Sequence, residues 1–314
     1  MLKRVLIALL LTAGLGLVFA DAPRLHSQPV SVGVTMQGHV APACSYPLPV
    51  GSDTVAAAYG FRKLRSAYAG SALQMYRESN GGTQDIGFAA NGCDFDTTTA
   101  ATFCASTICH VAKWYDQSGN SVTATGVIGT IRGGTYTVSC TPNSTPCAVS
   151  SVASQYDYYT GTLSGVTSST IVTVVQFSDL TGHTYQVGGT QVSSPVFGRG
   201  YISTNTTPQC ASWRQQDGQE DYATIACAIS TWYSIIGTAT NTLDRVILNG
   251  TQGTDVSTTV TLPSKTNMYL LGEGTGSFAG KFVEFILFSP SVSDADAKTV
   301  CANQGTYYGI TTTC

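Results

Sequence analysis

Ten cysteines, none of them before Cys44, constrain this chain more than any other feature. They follow a short leader in which Lys3 and Arg4 form a positive start and Val5 to Leu11 an apolar run. Val18-Phe19-Ala20 then offers a small-residue cleavage site. Residues 1–20 therefore read as an export signal cut near Ala20. The competing reading, a membrane anchor, asks for a longer apolar run. A secreted location, extracellular or periplasmic, is expected, with no stable membrane insertion once the signal is removed. In that compartment an even set of cysteines favours structural disulfides. Spacing suggests Cys104 with Cys109, Cys140 with Cys147, Cys210 with Cys227 and Cys301 with Cys314, which leaves Cys44 with Cys93. Sequence by itself does not fix that connectivity. A zinc site is the alternative, but there is no C-x-x-C pair, and His26, His39, His110 and His183 share no ligand spacing. No metal and no other cofactor is expected.

Only 11% of the 314 residues are charged, and the formal net charge is −3. A soluble protein ordinarily carries about a quarter charged residues. So low a fraction excludes a coiled coil and a charge-rich disordered chain. The absence of a basic block excludes a nucleic-acid partner. The oligomeric state is left open.

Residues 21–50 hold Pro23, Pro29, Pro42, Pro47 and Pro49 and read as an extended arm or linker pinned at its end by Cys44. Asp53 can cap a helix from Thr54 to about Arg65, with Arg62-Lys63-Leu64-Arg65 on its solvated face. Ala72 to Glu78 and Thr83 to Phe88 form a hairpin about Asn80-Gly81-Gly82. Asp96 caps a short helix through Phe103, and Ile108 to Tyr115 is a strand. Beyond residue 120 strands dominate, clearest at Thr170–Phe177, Thr224–Ile229, Leu243–Leu248, Met268–Leu271 and Lys281–Phe288. Asn249-Gly250 marks a hairpin, and Ser293 with Asp296 caps a last helix to about Asn303. Short strands at regular spacing predict one all-β domain over residues 51–314, a two-sheet sandwich or jelly roll with a few short helices.

Several ordered motifs go further. Arg62 to Gly70 follows R-x-L-x-S-A-Y-x-G, and Arg77 to Gly87 follows R-x-S-[DN]-G-x-T-x-D-I-G. Phe103 to Cys109 follows F-C-x-x-x-x-C ahead of Tyr115-Asp116-Gln117-Ser118-Gly119. In these the chain resembles the α-L-arabinofuranosidase B catalytic domain, glycoside hydrolase family 54. The segment from Leu270 to Val300 is similar to the last strands and helix of concanavalin-like (LamG-like) jelly rolls. The resemblance implies a disulfide-stabilised two-sheet jelly roll holding a sugar on its concave face, with Cys104 and Cys109 matching a family disulfide. Fungal members carry a further C-terminal arabinose-binding domain, which these 314 residues are not expected to include.

Retaining glycoside hydrolysis needs a carboxylate nucleophile and a proton-donating carboxyl group about 5–5.5 Å apart. The family places its acid/base on a late glycine-rich segment. Here that segment is Leu271 to Gly276, and its carboxylate is Glu273; the bland alternative is a solvated loop residue. The nucleophile region falls near Ser212 to Asp217, where Asp217, Glu220 and Asp221 are the candidates. The family's adjacent Cys-Cys pair has no counterpart. Trp213, Tyr201 and Trp232, with Tyr233, offer flat apolar faces for a sugar ring, although aromatic residues in strands more often fill a core. Asp85 and Asp116 lie in the shared motifs, but in turn-forming contexts where Asp normally satisfies backbone. No G-x-S-x-G elbow accompanies His110 or His183, which disfavours a serine hydrolase. Asn143, Asn205 and Asn249 head N-x-[ST] sequons. The expected partner is a polysaccharide or glycan. The expected function is arabinofuranosidase-type hydrolysis or, as the alternative, non-catalytic glycan binding or surface interaction.

Overall fold

The computed structural model describes residues 44–48, 54–126, 134–150, 159–180, 187–191, 199–205, 209–216, 219–258, 262, 264–273 and 276–314. The residues expected to form an export signal, most of the proline-rich stretch, Asp53, Asp217 and His183 lie outside the described residues. In chain order come β1 (Val55–Gly60), β2 (Leu73–Arg77), β3 (Thr83–Ile86), α1 (Thr97–Phe103), β4 (Cys109–Trp114), β5 (Ala124–Gly126), β6 (Thr135–Thr137) and β7 (Cys147–Ser150). Next are β8 (Tyr159–Val166), β9 (Ser169–Phe177), β10 (Gly188–Gln191), β11 (Arg199–Asn205), β12 (Gln209–Gln216), β13 (Gln219–Ala226) and β14 (Trp232–Ala239). Then follow β15 (Leu243–Leu248), β16 (Thr251–Gln252), β17 (Val256–Ser257), β18 (Lys265–Leu270), β19 (Gly272–Glu273), β20 (Gly276–Ser277), β21 (Gly280–Phe288) and α2 (Asp294–Tyr308).

Antiparallel pairing orders one layer as β15-β14-β9-β21-β1. The other runs β3-β2-β4-β5-β8-β18-β10-β11-β12-β13. The short strands β7 and β6 carry the pairing from β21 across to β4. The result is the all-β sandwich that the strand-rich sequence predicts. Period-2 alternation turns Leu73, Met75, Tyr159, Met268 and Leu270 inward from one layer and Ile171, Val175 and Phe285 from the other. Between the layers Trp114 of β4 meets Phe282 of β21 edge to face, ring centroids 5.3 Å apart. On the opposite side of the first layer Val172, Ile236, Ile286 and Phe288 pack on Ala297, Val300 and Cys301 of α2. That layer is covered on both faces.

One expected helix is a strand. Val55–Gly60 pairs with the end of β21 as β1, with a bulge between Val55 and Ala57. Ala57 and Tyr59 enter the inter-layer core, while Val55 and Ala58 join the cluster under α2. A strand buried on both faces is apolar throughout, and its run imitates a helical stripe. Arg62 to Arg65 is accordingly no solvated helix face, because Arg62 is 1% exposed and Leu64 fully buried. The shared motif at Tyr115–Gly119 clamps this region. Asp116 Oδ1 accepts from Ala58 N at 2.9 Å, and Gln117 Nε2 donates to the carbonyls of Gly60 and Arg62 at 3.1 Å.

Local signals gave accurate ends. Asp96 caps α1 by accepting from Thr99 N at 2.9 Å, and Ser293 caps α2 by accepting from Asp296 N at 3.2 Å. The last helix runs beyond Asn303 to Tyr308, where Gly309 at φ 72° ends it in the left-handed conformation. Asn249 and Gly250, at φ 50° and 94°, make the tight turn between β15 and β16. The strand expected at Thr224–Ile229 starts earlier, at Gln219, and stops at Ala226. Five disulfides join Cys44–Cys93, Cys104–Cys109, Cys140–Cys147, Cys210–Cys227 and Cys301–Cys314, the pairs that spacing suggests. Among the described residues no helix is long and apolar enough to cross a membrane.

Candidate functional site

The ten-strand layer has one face against the core and one away from it, and on that second face Gly189 and Ala211 are nonetheless buried. Directly opposed residues on neighbouring strands share a face, so the register defines rows across it. One row joins Tyr222 of β13, Trp213 of β12, Tyr201 of β11, Gly189 of β10 and Tyr269 of β18. It continues through Thr160 of β8, Thr125 of β5, Lys113 of β4, Gln74 of β2 and Asp85 of β3. Its neighbours along the strands, Leu270, Tyr159, Ala124, Trp114 and Leu73, are fully buried, so this row lies on the face away from the core. Tyr222 is 41% exposed. Two residues along, and on the same face, Asn267, Gln191, Arg199, Gln215 and Glu220 form a second row rich in amides.

Backbone register thus brings three sequence candidates, Tyr201, Trp213 and Glu220, onto one face. The disulfide Cys210–Cys227 staples the β12–β13 hairpin that carries two of them. Asp221 pairs with Arg214 in the intervening row, on the core side of the layer. Asp217 lies outside the described residues. Glu273 closes β19, opposite Gly276 of β20, in a small hairpin that leaves the end of β18. Buried Leu271, at φ 60°, sets its base: its N–H donates to Val187 O at 2.9 Å, and its carbonyl accepts from Phe278 N at 3.0 Å.

Trp232 is elsewhere. It begins β14 in the other layer, opposite Gln176 of β9, and is 8% exposed in the inter-layer core with Tyr233. Its indole fills the core rather than meeting Trp213. Asp116 is committed to backbone, as its turn context predicts. Asp85, at the far end of the polar row, accepts from Gln74 Nε2 at 2.9 Å and from the Tyr115 hydroxyl at 2.8 Å. Burial, with the hydrogen bond to Asp85 second, pushes Tyr115 up to about 12, so it remains a donor. His110 contacts Glu78 Oε1 at 2.9 Å through Nε2, and its other ring nitrogen faces Thr135. A surface cleft beside Cys44–Cys93 is lined by Arg62, Asp94 and Tyr307, whose polar groups already bond within the protein.

Residues 48–195 match the sequence profile described as alpha-L-arabinofuranosidase B, catalytic. Over that span the chain resembles the arabinofuranosidase B catalytic domain. A probable alpha-L-arabinofuranosidase B of Aspergillus flavus is 37% identical over 92 residues, and the enzyme of Aspergillus oryzae 36%. Each alignment covers 29% of this chain and 18% of the relative, so the matched stretch is a small part of those proteins. Two solved structures share the fold. An arabinofuranosidase complexed with arabinofuranosyl-alpha-1,2-xylobiose superposes with a TM-score of 0.63 at 18% identity. A family 54 α-L-arabinofuranosidase soaked with a cyclic sulfate inhibitor gives 0.61, also at 18%. Both alignments cover 79% of this chain and 62% of the enzyme. The profile match to arabinofuranosidase B ends at residue 195, before β11, so it includes Asp85 and Asp116 but not Trp213, Glu220 or Glu273.

Sequence reasoning missed Tyr222, Tyr269, Thr160 and Gln74. The available signal was alternation with buried apolar neighbours, on both sides for Gln74 (Leu73, Met75) and Tyr269 (Met268, Leu270) and on one side only for Thr160 (Tyr159) and Tyr222 (Ala223). Alternation names a face but not the strands that share it.

Proposed function

We propose that this chain is a secreted α-L-arabinofuranosidase-like retaining glycoside hydrolase acting on arabinose-containing polysaccharide. The match of residues 48–195 to the arabinofuranosidase B catalytic profile carries the reading. The five disulfides fit the oxidising compartment to which an export signal at residues 1–20 would deliver it. Glu273 serves as acid/base on the hairpin after β18. Of the nucleophile candidates Glu220 is preferred to Asp221, because its register is that of Gln215 and Arg199 on the outward face; Asp217 remains the second choice. In the first step the nucleophile's carboxylate attacks the anomeric carbon while Glu273 gives its proton to the departing oxygen. In the second, Glu273 takes a proton from the water that releases the sugar.

The test is hydrolysis of an aryl α-L-arabinofuranoside by the purified, disulfide-intact chain, with the anomer of the first product followed by NMR. Release of the aryl group with retained configuration is the expected result. An inverted product overturns the retaining assignment. No hydrolysis of aryl or natural substrates overturns the enzymatic reading, and bound arabinan without turnover would make the chain a glycan-binding module.

A further inference from the structure

Disulfide exchange needs a thiolate to reach one sulfur and the other sulfur to leave as a thiolate. Four of the five bridges oppose the second requirement. Cys109, Cys147 and Cys210 belong to the inter-layer core and Cys301 to the cluster under α2, and each is one end of its bridge. Attack at the more open partner expels a thiolate into apolar packing, where burial raises the thiol pKa and makes it a poor leaving group. Cys44–Cys93 differs. Both of its cysteines are partly exposed, and both line the surface cleft together with Lys63 and Asn91. Either sulfur can be attacked, and either can leave beside polar groups. We propose that this bridge is a redox latch: a dithiol opens it ahead of the other four and frees the strap Cys44–Leu48, while the sandwich stays folded.

The two sides of the latch are held unequally. Cys93 N donates to Asn91 Oδ1 at 3.0 Å, and the Cys93 carbonyl accepts from Lys63 N at 2.7 Å. The adjoining Asp94 accepts from Asn91 Nδ2 and from the Tyr307 hydroxyl, both at 2.6 Å. This side keeps its place without the bridge. On the other side Ser45 Oγ accepts from Asn303 Nδ2 at 2.7 Å. The strap's next anchor is Leu48, whose N–H donates to Leu64 O at 3.1 Å and whose side chain joins the cluster under α2.

Asn303 carries the opening inward. The amide that reaches Ser45 through Nδ2 also accepts from Arg62 Nη1 through Oδ1, at 2.6 Å. A freed strap therefore removes one of the contacts that orient the partner of the buried guanidinium.

The chemistry balances within the bridge and the reagent. One thiolate of the dithiol attacks a cysteine sulfur to give a mixed disulfide, and the second thiolate displaces it. Two electrons pass to the protein, the reagent becomes a disulfide, and its two protons end on Cys44 and Cys93. The Asn91 carbonyl, 3.4 Å from both sulfurs, is in place to accept from the new thiols.

The test treats the native chain with limiting dithiothreitol, blocks free thiols with iodoacetamide and maps the labelled peptides by mass. Cys44 and Cys93 should be labelled about tenfold faster than any other cysteine. Hydrogen exchange on the chain opened only there should show the Leu48 amide exchanging at least about tenfold faster, with Lys63 and the amides of β21 unchanged. A double Cys44→Ser, Cys93→Ser variant should reproduce the Leu48 exchange with no reductant present; if it does not fold, the opened wild-type chain carries the test. Earlier or simultaneous opening of another bridge overturns the proposal. So does unchanged protection of Leu48 in the opened chain. Loss of protection along β21 overturns it as well, because the bridge would then hold the whole fold rather than a strap.

Discussion

Arg62 and Glu284, 222 residues apart in sequence, meet in the interior with Nε 2.7 Å from Oε2 and Nη2 3.2 Å from Oε1. Both are essentially inaccessible to water. Glu284 also accepts from Gln304 Nε2 at 3.0 Å and from the Tyr308 hydroxyl at 2.7 Å, both on α2. The Arg62 guanidinium donates to Asn303 Oδ1 at 2.6 Å and lies over the Tyr307 ring. Burial, the largest single influence, pulls the Arg62 pKa down, but the charge and hydrogen bond of Glu284 together with Tyr308 and Tyr307 outweigh it and leave the pKa raised. The pair joins the segment after β1 to β21 and to the last helix, and so closes the covered side of the sandwich.

Removing one partner of such a pair leaves a buried charge uncompensated. Arg62→Met should therefore cost about 3–5 kcal/mol in urea unfolding. Arg62→Met combined with Glu284→Met should recover much of that loss, because no charge is then stranded. Equal losses in the single and double variants would show that packing, not ion pairing, decides the cost.

The disulfides should rank by the loops they close. Cys104–Cys109 spans 5 residues and Cys44–Cys93 spans 49. On the chain-entropy estimate their removal costs about 2 and about 4 kcal/mol respectively. Double Cys→Ser variants compared by thermal unfolding should reproduce that order. A reversed order would mean that local strain or residual structure in the unfolded chain outweighs loop closure.

What the sequence made legible was local. Asp96, Ser293 and Asn249-Gly250 act within a few residues of themselves, so their caps and turn can be read without the fold. Val55–Gly60 could not, because its partner strand begins at Gly280 and the burial of both faces depends on α2. The same limit hid the outward face. Tyr222 and Trp213 are close enough in sequence to suggest a hairpin, but Tyr269 joins them only through β10 and β11. Trp232 shows the converse: an aromatic strand residue that suits a sugar on paper belongs to the core once β14 is placed against β9.

Acid sensitivity should have an identifiable contributor on the α2 side. Arg245 of β15 reaches Asp255 with Nε 3.0 Å from Oδ1 and also pairs with Asp294 at the start of α2. The hydrogen bond from Arg245 holds the Asp255 carboxyl below its ordinary value of 3.8, against a smaller opposing effect of burial. A lowered folded-state pKa stabilises above the unfolded value and is lost as pH falls through the folded one. The wild-type chain should thus lose stability more steeply than Asp255→Asn on going from about pH 4 to about pH 2. Both side chains are partly exposed, so the difference should stay below about 1 kcal/mol. Parallel melting-temperature profiles for the two proteins would exclude this contribution.

Catalysis supplies the sharpest prediction for a single residue. If Glu273 donates the proton to the leaving group, Glu273→Gln removes the donor while keeping nearly the same shape. An activated aryl leaving group departs with little protonation, whereas a sugar hydroxyl does not. Turnover on arabinan or arabino-oligosaccharide should then fall by about 10²–10⁴-fold, the usual scale of general acid catalysis, with a much smaller loss on the activated aryl arabinofuranoside. The pH profile should change as well. Loss of the acid removes the alkaline limb that its deprotonation imposes on the wild-type rate. Equal losses on both substrates would assign Glu273 to folding or binding of the β19–β20 hairpin. Unchanged turnover on both would take it out of the mechanism and pass the acid/base role to another carboxylate.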